Sequence, residues 1–108
     1  MQNLKKKKVI IVGASAFAEI AYEYFTVDSE YEVVAFSVNE EYITEKTFLG
    51  RPLVPLETLE YAYSTKDHEV YVAMVYKELN RQRTKFVNVI KEKGYQLASY
   101  ISSKSFVW

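Results

Sequence analysis

The chain has 108 residues, 49% of them apolar, with 14 basic and 14 acidic side chains and a formal net charge of zero. That length and apolar share predict one domain able to bury roughly 60–70% of its unfolded surface, and they exclude a disordered chain. Balanced charge argues against general nucleic-acid binding; the absence of cysteine excludes disulfides and thiolate metal sites, and a single histidine is too few for an imidazole metal site.

No apolar run approaches the ~20 residues of a membrane span. Met1 to Lys8 holds no apolar segment of signal-peptide type, so a cytoplasmic protein is the default expectation. Lys5 to Lys8 is a run of four lysines. It reads as a solvated lead-in rather than a phosphate- or membrane-attracted arm, being short and without a second basic cluster beside it in sequence.

Val9 to Val12 is an unbroken apolar run, the pattern of a central parallel strand buried on both faces. Gly13 ends it and permits a tight turn, and Ser15 is placed to cap the following helix. Strand, small-residue turn and helix N-terminus together make an anion site, because free N–H groups and the positive end of the helix dipole converge above the turn. The first helix is expected from Ala16 to Thr26, with an apolar stripe of Phe17, Ile20, Ala21, Tyr24 and Phe25. Glu19 suits the helix dipole but would repel an anion bound directly at the helix end.

Tyr31 to Val38 is the second strand. Its exit offers Ser37, Val38 and Asn39, with Glu40 and Glu41 following, where a dinucleotide-binding unit places an acid for a ribose hydroxyl. Thr47 to Pro55 carries Gly50 and both prolines and reads as a turn with a short extended piece on either side. Pro55 suits a helix start, and Leu56, Leu59 and Ala62 line one face of a short second helix. His68 stands just before the third strand, at its amino end. Ligands of open α/β sheets sit beyond the carboxyl ends, so a catalytic role for it is disfavoured.

Val70 to Val75 is the third strand and Tyr76 to Leu79 its exit. Asn80 caps a third helix that runs to about Lys93 and stops at Gly94. Arg81, Arg83 and Lys85 crowd its start against the dipole, a cost of ~0.3–1 kcal/mol each; either a negative ligand offsets it or these are ordinary surface cations, the penalty being small enough for both. Tyr95 to Ile101 supplies a fourth strand. The bulky apolar end Phe106-Val107-Trp108 predicts a following domain or a covering subunit.

These elements predict an α/β fold: an open parallel sheet of four strands in the order 2-1-3-4, with helices on both faces. The switch point lies between strands 1 and 3. The ligand crevice is walled by Gly13, Ala14, Ser15, Ala16 and Phe17, by Ser37 to Asn39, and by Val75 to Arg81, including Tyr76 and Asn80. No catalytic residue and no metal site is evident.

The ordered set Val9-Ile10-Ile11-Val12-Gly13-Ala14-Ser15, Val34-Ala35-Phe36, Gly50-Arg51-Pro52-Leu53, Val72-Ala73-Met74 with Asn80-Arg81, and Gly94 to Ile101 resembles the N-terminal Rossmann-like domain of sugar acyltransferases of the left-handed β-helix class. These include nucleotide-sugar N-acetyltransferases and sialic acid O-acetyltransferase-like proteins. The resemblance implies that residues 1–101 bind a UDP- or dTDP-amino sugar, and that 102–108 open a linker to a hexapeptide-repeat β-helix. That second domain would bind acetyl-CoA, carry the catalytic histidine and form a trimer, leaving this domain without a cofactor of its own. It further implies Gly13, Ala14 and Ser15 near the diphosphate, Ser37 and Asn39 near base and ribose, and Asn80 and Arg81 near phosphate or sugar. The chain departs from the family pattern where Ala16-Phe17-Ala18 fills a turn commonly rich in glycine, and where Ser37-Val38-Asn39 replaces aspartates. A non-catalytic regulatory or assembly domain is the alternative. A nicotinamide-dinucleotide domain is weaker, since the later glycines of G-x-G-x-x-G are missing.

Overall fold

The computed structural model describes residues 7–14, 16–28, 30–73 and 84–98. Within them lie β1 (Lys7–Val12), α1 (Ala16–Asp28), β2 (Tyr31–Val38), β3 (Thr47–Phe48), β4 (Arg51–Pro55), α2 (Leu59–Ala62), β5 (His68–Val72), α3 (Thr84–Lys93) and β6 (Gln96–Leu97). Short 3₁₀ turns cover Glu40–Tyr42 and Leu56–Thr58. The described strands form a six-stranded sheet in the order β3-β4-β2-β1-β5-β6. All neighbouring pairs are parallel except the β3–β4 hairpin.

The expected order 2-1-3-4 is present as β2-β1-β5-β6. The expectation of four strands is corrected: the glycine–proline stretch adds β4 beside β2 and β3 at the edge. Proline donates no ladder hydrogen bond, so Pro52 and Pro55 obscured a strand that pairs with β2 on one side and β3 on the other. The two-residue loop between the hairpin strands is Leu49-Gly50, both with positive φ (53° and 80°). That is the backbone of a tight hairpin turn whose twist matches its strands.

β1 is central and its apolar run is completely inside. Val9 and Ile11 face α1 in a cluster with Ala18, Ala21, Phe25, Val33 and Phe36. Ile10 and Val12 face α2 and α3 with Ala35, Leu59, Val70, Val72 and Ile90. Strand alternation alone would not put Val33 and Phe36 on the same side. A register shift makes it so: Val9 pairs with Val33 but Ile10 pairs with Ala35, leaving Val34 as an inserted residue.

The buried stripe of α1 also differs from the expected one. Ala18, Ala21 and Phe25 are inside, while Ile20 is 39% exposed. Two alanines let the helix axis approach the sheet closely, and Phe25 fills the space beyond them. At the end of α3 the Gly94 N–H donates to the Lys91 carbonyl and the Tyr95 N–H to the Ile90 carbonyl. Gly94 has φ +102°. This is the paired cap expected of a glycine that stops a helix. Asn80 and Arg81, Met74 and Val75 of the third strand, and Ser99 to Ile101 of the fourth lie outside the described residues.

Candidate functional site at the carboxyl ends of the strands

β1 ends between its two neighbours. The Gly13 N–H donates to the Ser37 carbonyl at 2.9 Å, and the Ala73 N–H to the Val12 carbonyl at 2.9 Å. Gly13 has φ +130°, and a Cβ placed there would stand 2.7 Å from the Ala73 carbonyl oxygen. Glycine is required here because the backbones leaving β1 and β5 pass almost in contact. This crossing is the switch point of the sheet, with β2 on one side of β1 and β5 on the other.

Above the crossing, Ala14 and Ala16 are exposed, so small side chains surround the start of α1. Phe17 is half-buried and packs against the α1-side core rather than standing free. Ser15, Tyr76, Asn80 and Arg81 lie outside the described residues.

The β2 exit is arranged differently from the expectation. Ser37, expected beside a ribose, is fully buried, and its hydroxyl donates to the Val54 carbonyl at 2.9 Å. With its own carbonyl taken by Gly13, it joins β1, β2 and β4 and presents nothing to a ligand. Val38 is half-buried and pairs with Pro55. Asn39 is the polar group that reaches the surface here. Its amide nitrogen donates to Glu57 Oε2 at 3.2 Å, and the Glu40 N–H donates to Oε1 of the same carboxylate at 2.9 Å. The carboxylate thus holds the loop with both oxygens and leaves the Asn39 amide oxygen as an acceptor.

Glu57 itself sits in the 3₁₀ turn that follows β4, beside α3. Its own backbone N–H holds its carboxyl below the ordinary value of 4.5; burial opposes this, and the Glu40 N–H, the Asn39 amide and the Lys93 charge add to the lowering. Lys93 on α3 reaches Glu60 at 2.6 Å and the Glu57 carbonyl at 3.3 Å, tying α3 to this turn. Asn39, Leu56, Glu57, Phe86, Val89 and Lys93 border a groove of about 360 Å³, an apolar floor with polar groups at its rim. Lys85 also lines it and carries no ion pair among the described residues. Glu57 and Lys93 were not legible as site residues, because their role depends on a contact between segments far apart in sequence.

His68 opens β5 and lies at the amino end of the sheet, away from this crevice. Among the described residues no three His, Asp or Glu side chains are grouped to hold a metal ion. No helix among them is long and apolar enough to cross a membrane.

No family model matches the chain, and no curated protein matches it in sequence. Solved structures do match its fold. The acetyltransferase domain of PglB from Neisseria gonorrhoeae FA1090 superposes with a TM-score of 0.65 at 20% identity, over 85% of this chain and 42% of that one. The same domain in complex with acetyl coenzyme A gives 0.63 at 20% identity, over 82% and 40%. RSP, a Rex-family repressor, gives 0.63 at 14% identity, over 84% and 43%. The chain spans about two fifths of each of these proteins. What it shares with them is an α/β fold built on a mostly parallel sheet.

Proposed function

We propose that this chain is the substrate-holding domain of a sugar acetyltransferase. It binds a UDP- or dTDP-linked amino sugar at the carboxyl ends of β1, β2 and β5, and a hexapeptide-repeat domain delivers the acetyl group from acetyl-CoA. The observation that carries this reading is the Gly13 crossing at the switch point of a sheet that superposes on the acetyltransferase domain of PglB. The residues of this chain bind and orient; none is asked to break a bond. The Gly13 N–H is spent on the Ser37 carbonyl, so Gly13 serves by close approach of its backbone, and the Ala14 and Ser15 N–H groups take the diphosphate, the small side chains of Ala14 and Ala16 leaving room for it. Asn39, fixed by Glu57, offers its amide oxygen to the ribose or base edge. Asn80 and Arg81 complete the phosphate or sugar contacts. The full enzyme is a cytoplasmic trimer.

The second reading is a non-catalytic regulatory or assembly domain. Two observations favour it: the likeness to a repressor is nearly as good as that to the acetyltransferase domain, and Ser37 is consumed by the fold. Calorimetric titration of the chain with UDP- and dTDP-amino sugars, with NADH alongside, separates the readings. Saturable binding of one sugar nucleotide, weakened about tenfold by Arg81→Ala through loss of a charge-assisted hydrogen bond, is expected. Binding of NADH alone would move the assignment to a dinucleotide domain, and binding of none of these ligands would favour the regulatory reading.

A further inference from the structure

At the opposite end of the sheet, the amino ends of β1, β5 and β6 border a depression of about 490 Å³. Its volume falls in the range of small-molecule sites. Lys7, Lys8, Lys66, Asp67, His68 and Glu69 line it. Lys7 and Lys8, from the run that reads in sequence as a solvated lead-in, therefore meet a second basic group, Lys66, brought from a distant turn.

The charges divide between the two faces of the sheet. Lys7 and Glu69 belong to the α1 side, and both are engaged: Lys7 pairs with Glu30 at 3.3 Å, and Glu69 accepts a hydrogen bond from the Tyr31 hydroxyl. Lys8 and His68 are register partners on adjacent parallel strands, so they stand side by side on the other face. Lys8 and Lys66 carry no carboxylate partner among the described residues. Asp67 is the remaining acid of the lining.

The turn that carries Lys66 and His68 is fixed. The Ser64 hydroxyl accepts the Lys66 and Asp67 N–H groups at 3.0 and 3.3 Å. The Ser64 carbonyl, 2.8 Å from His68 Nδ1, can only accept, so Nδ1 is the protonated nitrogen. His68 Nε2 is then left to accept from a ligand hydroxyl, such as the P–OH of a phosphate. Two unpaired ammonium groups beside this imidazole, on a fixed turn and a central strand, match a multivalent oxyanion better than a single carboxylate.

We infer that this depression is a second binding site, separate from the switch-point crevice, that takes a small phosphate-bearing anion between Lys8, Lys66 and His68. Titration of the isotopically labelled chain with pyrophosphate at low ionic strength tests this by amide shifts. Saturable shifts are expected at Lys66, His68 and Gln96, with Ala14 unmoved. Lys8→Gln and Lys66→Gln each weaken binding about fivefold, while Asp67→Asn, which removes the opposing acid, tightens it. Shifts that do not saturate, or an affinity equal in all three variants, would overturn the site. Sedimentation with anionic phosphatidylglycerol vesicles, in place of saturation by pyrophosphate, would overturn it in favour of a lipid surface.

Discussion

Gly13 does two things that a larger residue cannot. It holds φ at +130°, and it lets the Ala73 carbonyl pass where a Cβ would stand at 2.7 Å. Because the near neighbour is backbone rather than a flexible side chain, the contact has little freedom to relax. Gly13→Ala is expected to destabilise the fold by about 2–4 kcal/mol, strain and overpacking combined, read as a lower midpoint in urea. Loss of ligand binding in a Gly13 variant would therefore report folding as much as recognition. Glu57 is the better probe of the crevice. Its removal in Glu57→Ala should speed exchange of the Glu40 amide about fivefold, the loss of one hydrogen bond to a largely exposed carboxylate. The sign with pH follows from its lowered pKa. The anchor is complete above the ordinary value of 4.5 and is lost as pH falls through the lower folded value. Exchange of the same amide, followed from pH 6 down to about pH 3, checks it.

At the scale of elements, the hairpin and the β2 register carry the departures from simple pattern. Leu49 adopts φ 53° in a turn position that asparagine or glycine fills at lower cost. It is 42% exposed, so little packing is lost by changing it. Leu49→Asn should stabilise the chain by about 0.5–1 kcal/mol and raise its melting temperature by a few degrees in calorimetry. The inserted residue Val34 turns Phe36 onto the α1 face and Ala35 onto the other, and so sets which side chains exit β2 toward the crevice. Nothing in the alternation of Tyr31 to Val38 announces this, since the whole strand is apolar enough to be buried on either face. The stripe of α1 departs from expectation at one position for a related reason: Ala18 and Ile20 are both apolar, and which one faces inward depends on how closely the helix must approach the sheet.

For the molecule as a whole, 16% of the residues are aromatic, and a cluster of them fills the α1-side core. Phe25 packs edge-on against Tyr31 and Tyr71 at 5.2 and 5.4 Å, and Phe36 against Phe48 at 4.8 Å. Phe25 is fully buried, so Phe25→Ala should cost about 3–5 kcal/mol. Val27, two residues along the same helix and 76% exposed, should tolerate alanine within about 0.5 kcal/mol. Denaturation of the two variants side by side measures the contrast. The sequence by itself determined the α/β class, the central place of Val9 to Val12, the inner strand order, the helix stop at Gly94 and the position of the switch point. Each follows from local apolar runs and small-residue turns, whose physics needs no distant partner. Tertiary structure alone decided that the proline-bearing stretch forms two more strands, that Ser37 is spent on Val54, that Glu57 holds Asn39, and that Lys66 joins the lysines of β1. Those outcomes rest on hydrogen bonds and charges meeting across long sequence separations, and a chain read in order does not contain the geometry that brings them together.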